Sequence, residues 1–100
     1  MRIQRVFVAH GSEFRLVGEL DRVSCRQVER MLAGPASDGG VVTLDLSELK
    51  SCDEAGVDVL VNLTKRADIA SGALRLRSAT EDVLQAFKGS DALPKLHVGD

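Results

Sequence analysis

Val41-Val42-Thr43-Leu44-Asp45-Leu46 is the most restrictive stretch of this chain: six residues, almost continuously apolar and rich in β-branched side chains. A strand with one wet face alternates polar and apolar residues, whereas a run of this kind suits a strand covered on both faces. It therefore predicts a central strand in a sheet whose cover comes from helices in the flanking sequence.

Those helices and further strands are legible on either side. Val6-Phe7-Val8-Ala9 and Phe14-Arg15-Leu16-Val17 are β-prone runs around His10-Gly11-Ser12-Glu13, the pattern of a hairpin with a glycine-containing loop. Gly18-Glu19-Leu20-Asp21 ends the second strand. Ser24 then predicts a helix start with a capping box to Gln27, and Val23 and Val28 the hydrophobic staple around it. Val28, Met31 and Leu32 recur at helical spacing until Gly34-Pro35 ends the helix, and Ser37 to Gly40 reads as a surface connection.

Beyond the central strand, Asp53 to Ala67 reads as a second helix. Its apolar residues Val57, Val59, Leu60, Val61 and Leu63 run nearly all round, so one face should meet the sheet and another should be left for a partner. Gly72 to Arg77 predicts a further strand with alternating arginines. Ser78-x-x-Glu81 predicts a second capping box, leading into Val83, Leu84 and Phe87 before Gly89. Leu93 to Val98 supplies a last strand. The expectation is an α/β fold of order β-β-α-β-α-β-α-β: a mixed sheet of four to five strands with three or more helices and right-handed crossovers, in one domain spanning 1–100.

Composition narrows the function. With 100 residues, 44% of them hydrophobic, one modest core is feasible and no long segment can be spared from it. A net charge of −2, with three Phe and no Trp or Tyr, offers neither a basic field nor stacking platforms for nucleic acid. No apolar run reaches the roughly 18–20 residues that span a bilayer, and the first residues lack the apolar core of a signal peptide. A cytoplasmic protein is expected.

The search for chemistry yields little. His10 and His97 stand alone, without a second ligand at metal-site spacing, so no metal or other cofactor is expected. Cys25 and Cys52 are too few for a disulfide framework and too far apart for a Cys-x-x-Cys pair, although both fall on loops at one sheet end, where a redox pair would need Cα atoms within about 7 Å. Asp21, Asp45 and Asp53 all fall near strand carboxyl ends, where open α/β sheets place ligands. Asp21 and Asp53 are equally suited to cap the helices that follow them. Asp45, inside an apolar strand, needs a loop amide or an arginine as partner. No nucleophile or base accompanies these acids, and no glycine-rich loop ends in Gly-Lys-Ser/Thr, so neither an enzyme nor a P-loop nucleotide binder is expected.

The stretch from Leu44-Asp45-Leu46-Ser47 to Asp53-Glu54-Ala55-Gly56-Val57-Asp58-Val59-Leu60 resembles the signature of STAS domains, which include bacterial anti-sigma-factor antagonists. Gly18-Glu19-Leu20-Asp21 is similar to that family's other recurring motif, about 25 residues earlier. The family's β-β-α-β-α-β-α-β core agrees with the element order, so the resemblance covers nearly the whole chain.

It implies a transcription-regulatory module that sequesters an anti-sigma factor or GHKL-type switch kinase and so frees a sigma factor. It implies partner contacts at Asp21, Asp53, Glu54, Ala55, Gly56, Val57, Asp58 and Val61. The family's Asp-Ser-Ser-Gly turn is phosphorylated on the second serine, and Ala55 stands there without a hydroxyl. Glu54 supplies one fixed charge beside it, as an imperfect phosphate mimic or as a first-turn acid favoured by the helix dipole. The further C-terminal helix of many relatives is not expected, and monomer and weak dimer both remain open. A second reading keeps the fold and makes the chain a soluble STAS subunit of an anion carrier or lipid-transport ATPase; a third uses Cys25 and Cys52 as a thiol redox sensor.

Overall fold

The computed structural model describes residues 1–99. Its sheet is mixed and, among the described residues, six-stranded, with β1 (Arg2–Val6), β2 (Ser12–Leu20), β3 (Val41–Asp45), β5 (Ala73–Arg77) and β6 (His97–Gly99) lying side by side in that order. β4 (Leu49–Cys52) pairs with the far end of β2. Only β1 and β2 run antiparallel; the other pairings are parallel, bridged by α1 (Cys25–Ala36), α2 (Glu54–Ile69) and α3 (Glu81–Gly89). The α/β mixed sheet with three helices matches the expected class.

β2 serves two partners in turn. Its first half, Ser12 to Arg15, pairs with β3, and its last residues, Gly18 to Leu20, pair with β4. The register shifts between Gly18 and Glu19, and Gly18 has φ +116°, a conformation that a side chain resists. β4 is absent from the sequence expectation. Leu49 and Cys52 are its buried residues, with two exposed ones between, so period two is missing and only pairing with β2 makes the segment a strand.

The central position of β3 holds, but its cover does not. Val42 and Leu44 are buried against the helices, while Val41 is 43% exposed and lies on the other, helix-free face. That face carries charge instead of a second layer. Asp45 sits in register with Arg15 on β2 and Arg77 on β5, its carboxylate 3.2 Å from Arg15 Nε and 3.6 Å from an Arg77 nitrogen. Arg77 also meets Glu13 at 2.9 Å, and Ser47 donates its amide to Asp45 at 2.9 Å. The arginine and loop-amide partners that Asp45 requires are thus both present. Burial alone would raise the Asp45 carboxyl, but the bonds from Ser47 and Arg15 outweigh it and hold the group below the ordinary carboxylate range.

The apolar surplus of α2 is absorbed. Val57, Val59, Leu60, Val61 and Leu63 are all buried, because α2 is the middle helix, with the sheet below and α1 and α3 beside it. No apolar face of α2 is left over; Ile69 alone stands exposed near its end. Other local expectations shift by a residue or more. β1 precedes the Phe7-Val8 run, which lies exposed in the hairpin loop. α1 continues through Pro35 in its last turn. Thr80, not Ser78, caps α3, accepting the Val83 amide at 3.4 Å while Ser78 takes φ +59°.

Candidate functional site

The carboxyl ends of β2 and β4 bring the two sequence motifs together. Leu20 is paired with Cys52, and the Asp53 amide donates to the Leu20 carbonyl at 3.0 Å, so the turn after β4 lies directly beside the loop after β2. Asp53 is extended and caps α2: its carboxylate accepts the Gly56 amide at 2.8 Å, and its carbonyl accepts the Val57 amide at 2.9 Å. Gly56 is required by proximity. A Cβ there would lie 2.8 Å from the Leu20 carbonyl oxygen and 2.9 Å from the Cys52 sulfur.

The neighbouring loop is locked by Asp21 and Ser24. The Asp21 carboxylate accepts the amides of Val23 at 3.0 Å and Ser24 at 2.9 Å. The Ser24 hydroxyl accepts the Asp21 amide and donates to the Glu19 carbonyl, each at 2.9 Å. Asp21 thus does the capping that the sequence assigned to Ser24. Gln27 bonds the Met1 carbonyl instead of closing a box, and Val23, 86% exposed, forms no staple with buried Val28. The Ser24 amide is the main cause of the lowered Asp21 pKa.

Among the residues assigned to the contact surface, exposure divides them. Asp53, Glu54 and Asp58 are exposed, and Asp21 and Ala55 are half-buried, so these five form a continuous acidic end of the molecule around a small apolar centre. Gly56, Val57 and Val61, also assigned to the contact surface, are buried in the domain, with Gly56 packed against Leu20 and Cys52. Asp21 and Asp53 are both engaged as acceptors of backbone amides, the geometry of caps and not of an acid/base pair poised for substrate.

The two thiols are brought to this same end but not bonded; both are free. Burial, then the nearby Asp53, pushes the Cys52 thiol up to about 12, and burial with Asp53, Asp21, Glu29 and Asp58 raises Cys25. Both shifts disfavour the thiolate, the reactive form of a cysteine. His10 is exposed on the hairpin loop and His97 lies 3.5 Å from Asp68, with no group of three metal-ligating side chains among the described residues. A concavity of about 840 Å³ lies on the helix-free sheet face beside Arg75, Arg77 and His97. A smaller concavity of about 410 Å³ adjoins the Asp21 loop, with Glu19, Asp21, Ser24 and Lys50 among its walls. No helix of the described residues is long and apolar enough to cross a membrane.

The comparisons with known proteins agree with this geometry. No curated protein matches the chain significantly. Among solved structures, SpoIIAA, an anti-sigma factor antagonist, in its unphosphorylated form superposes with a TM-score of 0.77 at 18% identity, over 99% of this chain and 89% of that one. The phosphorylated Bacillus cell-fate determinant SpoIIAA gives 0.73 at 19% identity, over 99% and 92%. An anti-sigma-factor antagonist (STAS) domain protein from Planctomyces limnophilus gives 0.79 at 12% identity, over 96% and 87%. At these identities the likeness establishes the fold. A family model described as "Mlab, STAS domain" matches residues 4–92, and on that match the chain belongs to the STAS-domain family.

Proposed function

We propose that this domain is a cytoplasmic protein-binding regulator of the anti-sigma-factor antagonist kind, without enzymatic activity, which captures an anti-sigma factor or GHKL-type switch kinase through Asp21, Asp53, Glu54, Ala55 and Asp58. The observation that carries the proposal is Ala55, half-buried in the first turn of α2 between the exposed acids Glu54 and Asp58, where the family signature has its phosphorylated serine. In a relative with that serine, a phosphate would add nearly two negative charges a few ångströms from the aspartate cap and at the docking surface, worth roughly 2–3 kcal/mol of repulsion per charge pair at an effective dielectric near 20. Ala55 has no oxygen to phosphorylate, so capture is constitutive and its control lies in protein abundance or in the partner's nucleotide state.

The test is affinity capture with the tagged full chain from soluble and detergent-solubilised membrane fractions, with mass spectrometry of the bound proteins. A GHKL-fold ATPase captured by the wild type and lost with Ala55→Arg is the expected result. Retention of that partner by Ala55→Arg would sink the placement of the surface. Capture of a membrane transporter ATPase alone would instead assign the chain as a soluble transporter subunit.

A further inference from the structure

A second surface lies along the groove between α1 and α2. Two adjoining concavities follow it. One, about 440 Å³, is lined by Arg26, Glu29, Arg30, Ala33 and Arg66. The next, about 390 Å³, shares Arg66 and adds Lys65, Ile69 and Asn62 among its walls. Four cations thus line one groove against a single acid in a chain whose net charge is −2. None of the four takes part in an ion pair among the described residues.

We infer that this groove is a docking site for an acidic segment of a partner protein. The spacing decides against a single small anion. Arg26 and Arg30 are one helical turn apart, about 6 Å, and Lys65 and Arg66 extend the row along the second helix, so the cations match several carboxylates in succession. Stacking platforms for nucleic acid are missing, because Phe14 and Phe87 are buried in the core and Phe7 lies on the β1–β2 loop. An anionic membrane fits poorly. The exposed stripe of α2 begins with Glu54 and Asp58 before it reaches Lys65 and Arg66, so a flat lipid surface would meet repulsion along the same helix. A narrow acidic segment seated between the helices avoids those acids and covers Ala33 and Ile69 as it binds.

The inference is independent of the Ala55 surface, and its test uses the full chain with a defined probe. A fluorescent peptide of Glu-Glu-Ala-Leu repeats is titrated at low ionic strength by anisotropy, with phosphatidylglycerol vesicles and single-stranded DNA as competing probes. Saturable peptide binding is expected, weakened about tenfold by the double change Arg30→Glu with Arg66→Glu and unchanged by Arg75→Glu on the opposite sheet face. The neutral pair Arg30→Gln with Arg66→Gln, which leaves helix propensity nearly intact, should lose about threefold and serves if the reversed pair does not fold. No binding, or equal weakening by Arg75→Glu, overturns the site. Tighter binding of vesicles or DNA through the same arginines overturns the acidic segment as its occupant.

Discussion

The carboxylate of Asp53 accepts the amide of Gly56 at 2.8 Å, and this bond fixes where α2 begins and therefore which residues its first turn offers outward. Gly56 faces inward, against the Leu20 carbonyl, and this leaves Glu54, Ala55 and Asp58 to the surface.

Gly56→Ala should destabilise the domain by about 2–3 kcal/mol, because the added methyl meets a strand backbone that cannot move aside without disturbing the β2–β4 pairing. Urea unfolding followed by far-UV circular dichroism reads this as a lowered midpoint at unchanged slope. A loss under 0.5 kcal/mol, on the order of ordinary surface changes, would show that the close approach is relaxed in solution.

Asp53→Ala removes only the cap and should cost about 1 kcal/mol, while Asp53→Asn, which retains an acceptor oxygen, should cost a few tenths. Equal losses for the two would mean that the charge, not the hydrogen bond, is what the position supplies.

In the Asp21 loop, Ser24→Ala should cost about 1–2 kcal/mol by leaving the Glu19 carbonyl and the Asp21 amide without their shared hydroxyl. Val23→Ala should change stability by less than about 0.5 kcal/mol, since Val23 is 86% exposed and staples nothing. Thermal unfolding of both variants separates the two residues.

Asp45 gives the domain an acid-sensitive component. Its folded carboxyl lies below the ordinary range, so the Arg15–Asp45–Arg77 ladder contributes fully above the unfolded value of about 4 and is lost as pH falls through the lower, folded value. Asp45→Asn should cost about 1–2 kcal/mol at neutral pH, the partial exposure of both arginines keeping it modest, and the wild type should converge on the variant as pH falls through the lowered, folded value. Parallel acid-limb profiles for the two proteins would contradict this assignment.

Cys52 should resist alkylation in the native protein at about pH 8, because its thiol is buried and pushed up to about 12. Iodoacetamide labelling read by mass spectrometry should modify Cys25 slowly and Cys52 only in denaturant. Rapid native labelling of Cys52 would reopen thiol chemistry at this end of the sheet.

Local chemistry alone determined much of this protein. The apolar, β-branched run from Val41 to Leu46 marks the central strand, helical periodicity marks all three helices, and the order of the Gly18–Asp21 and Asp53–Gly56 motifs points to the family. Tertiary structure decided what depends on neighbours distant in sequence. Leu49 to Cys52 became a strand because β2 offered it a partner beyond the Gly18 bulge. The apolar residues that run round α2 are buried because α1 and α3 flank it above the sheet. Asp45 found Arg15 and Arg77 on the two neighbouring strands, and two pairs of cations far apart in the chain came to line one groove. A sequence pattern reports how apolar each face of an element is, but which element covers that face is set by packing between segments tens of residues apart.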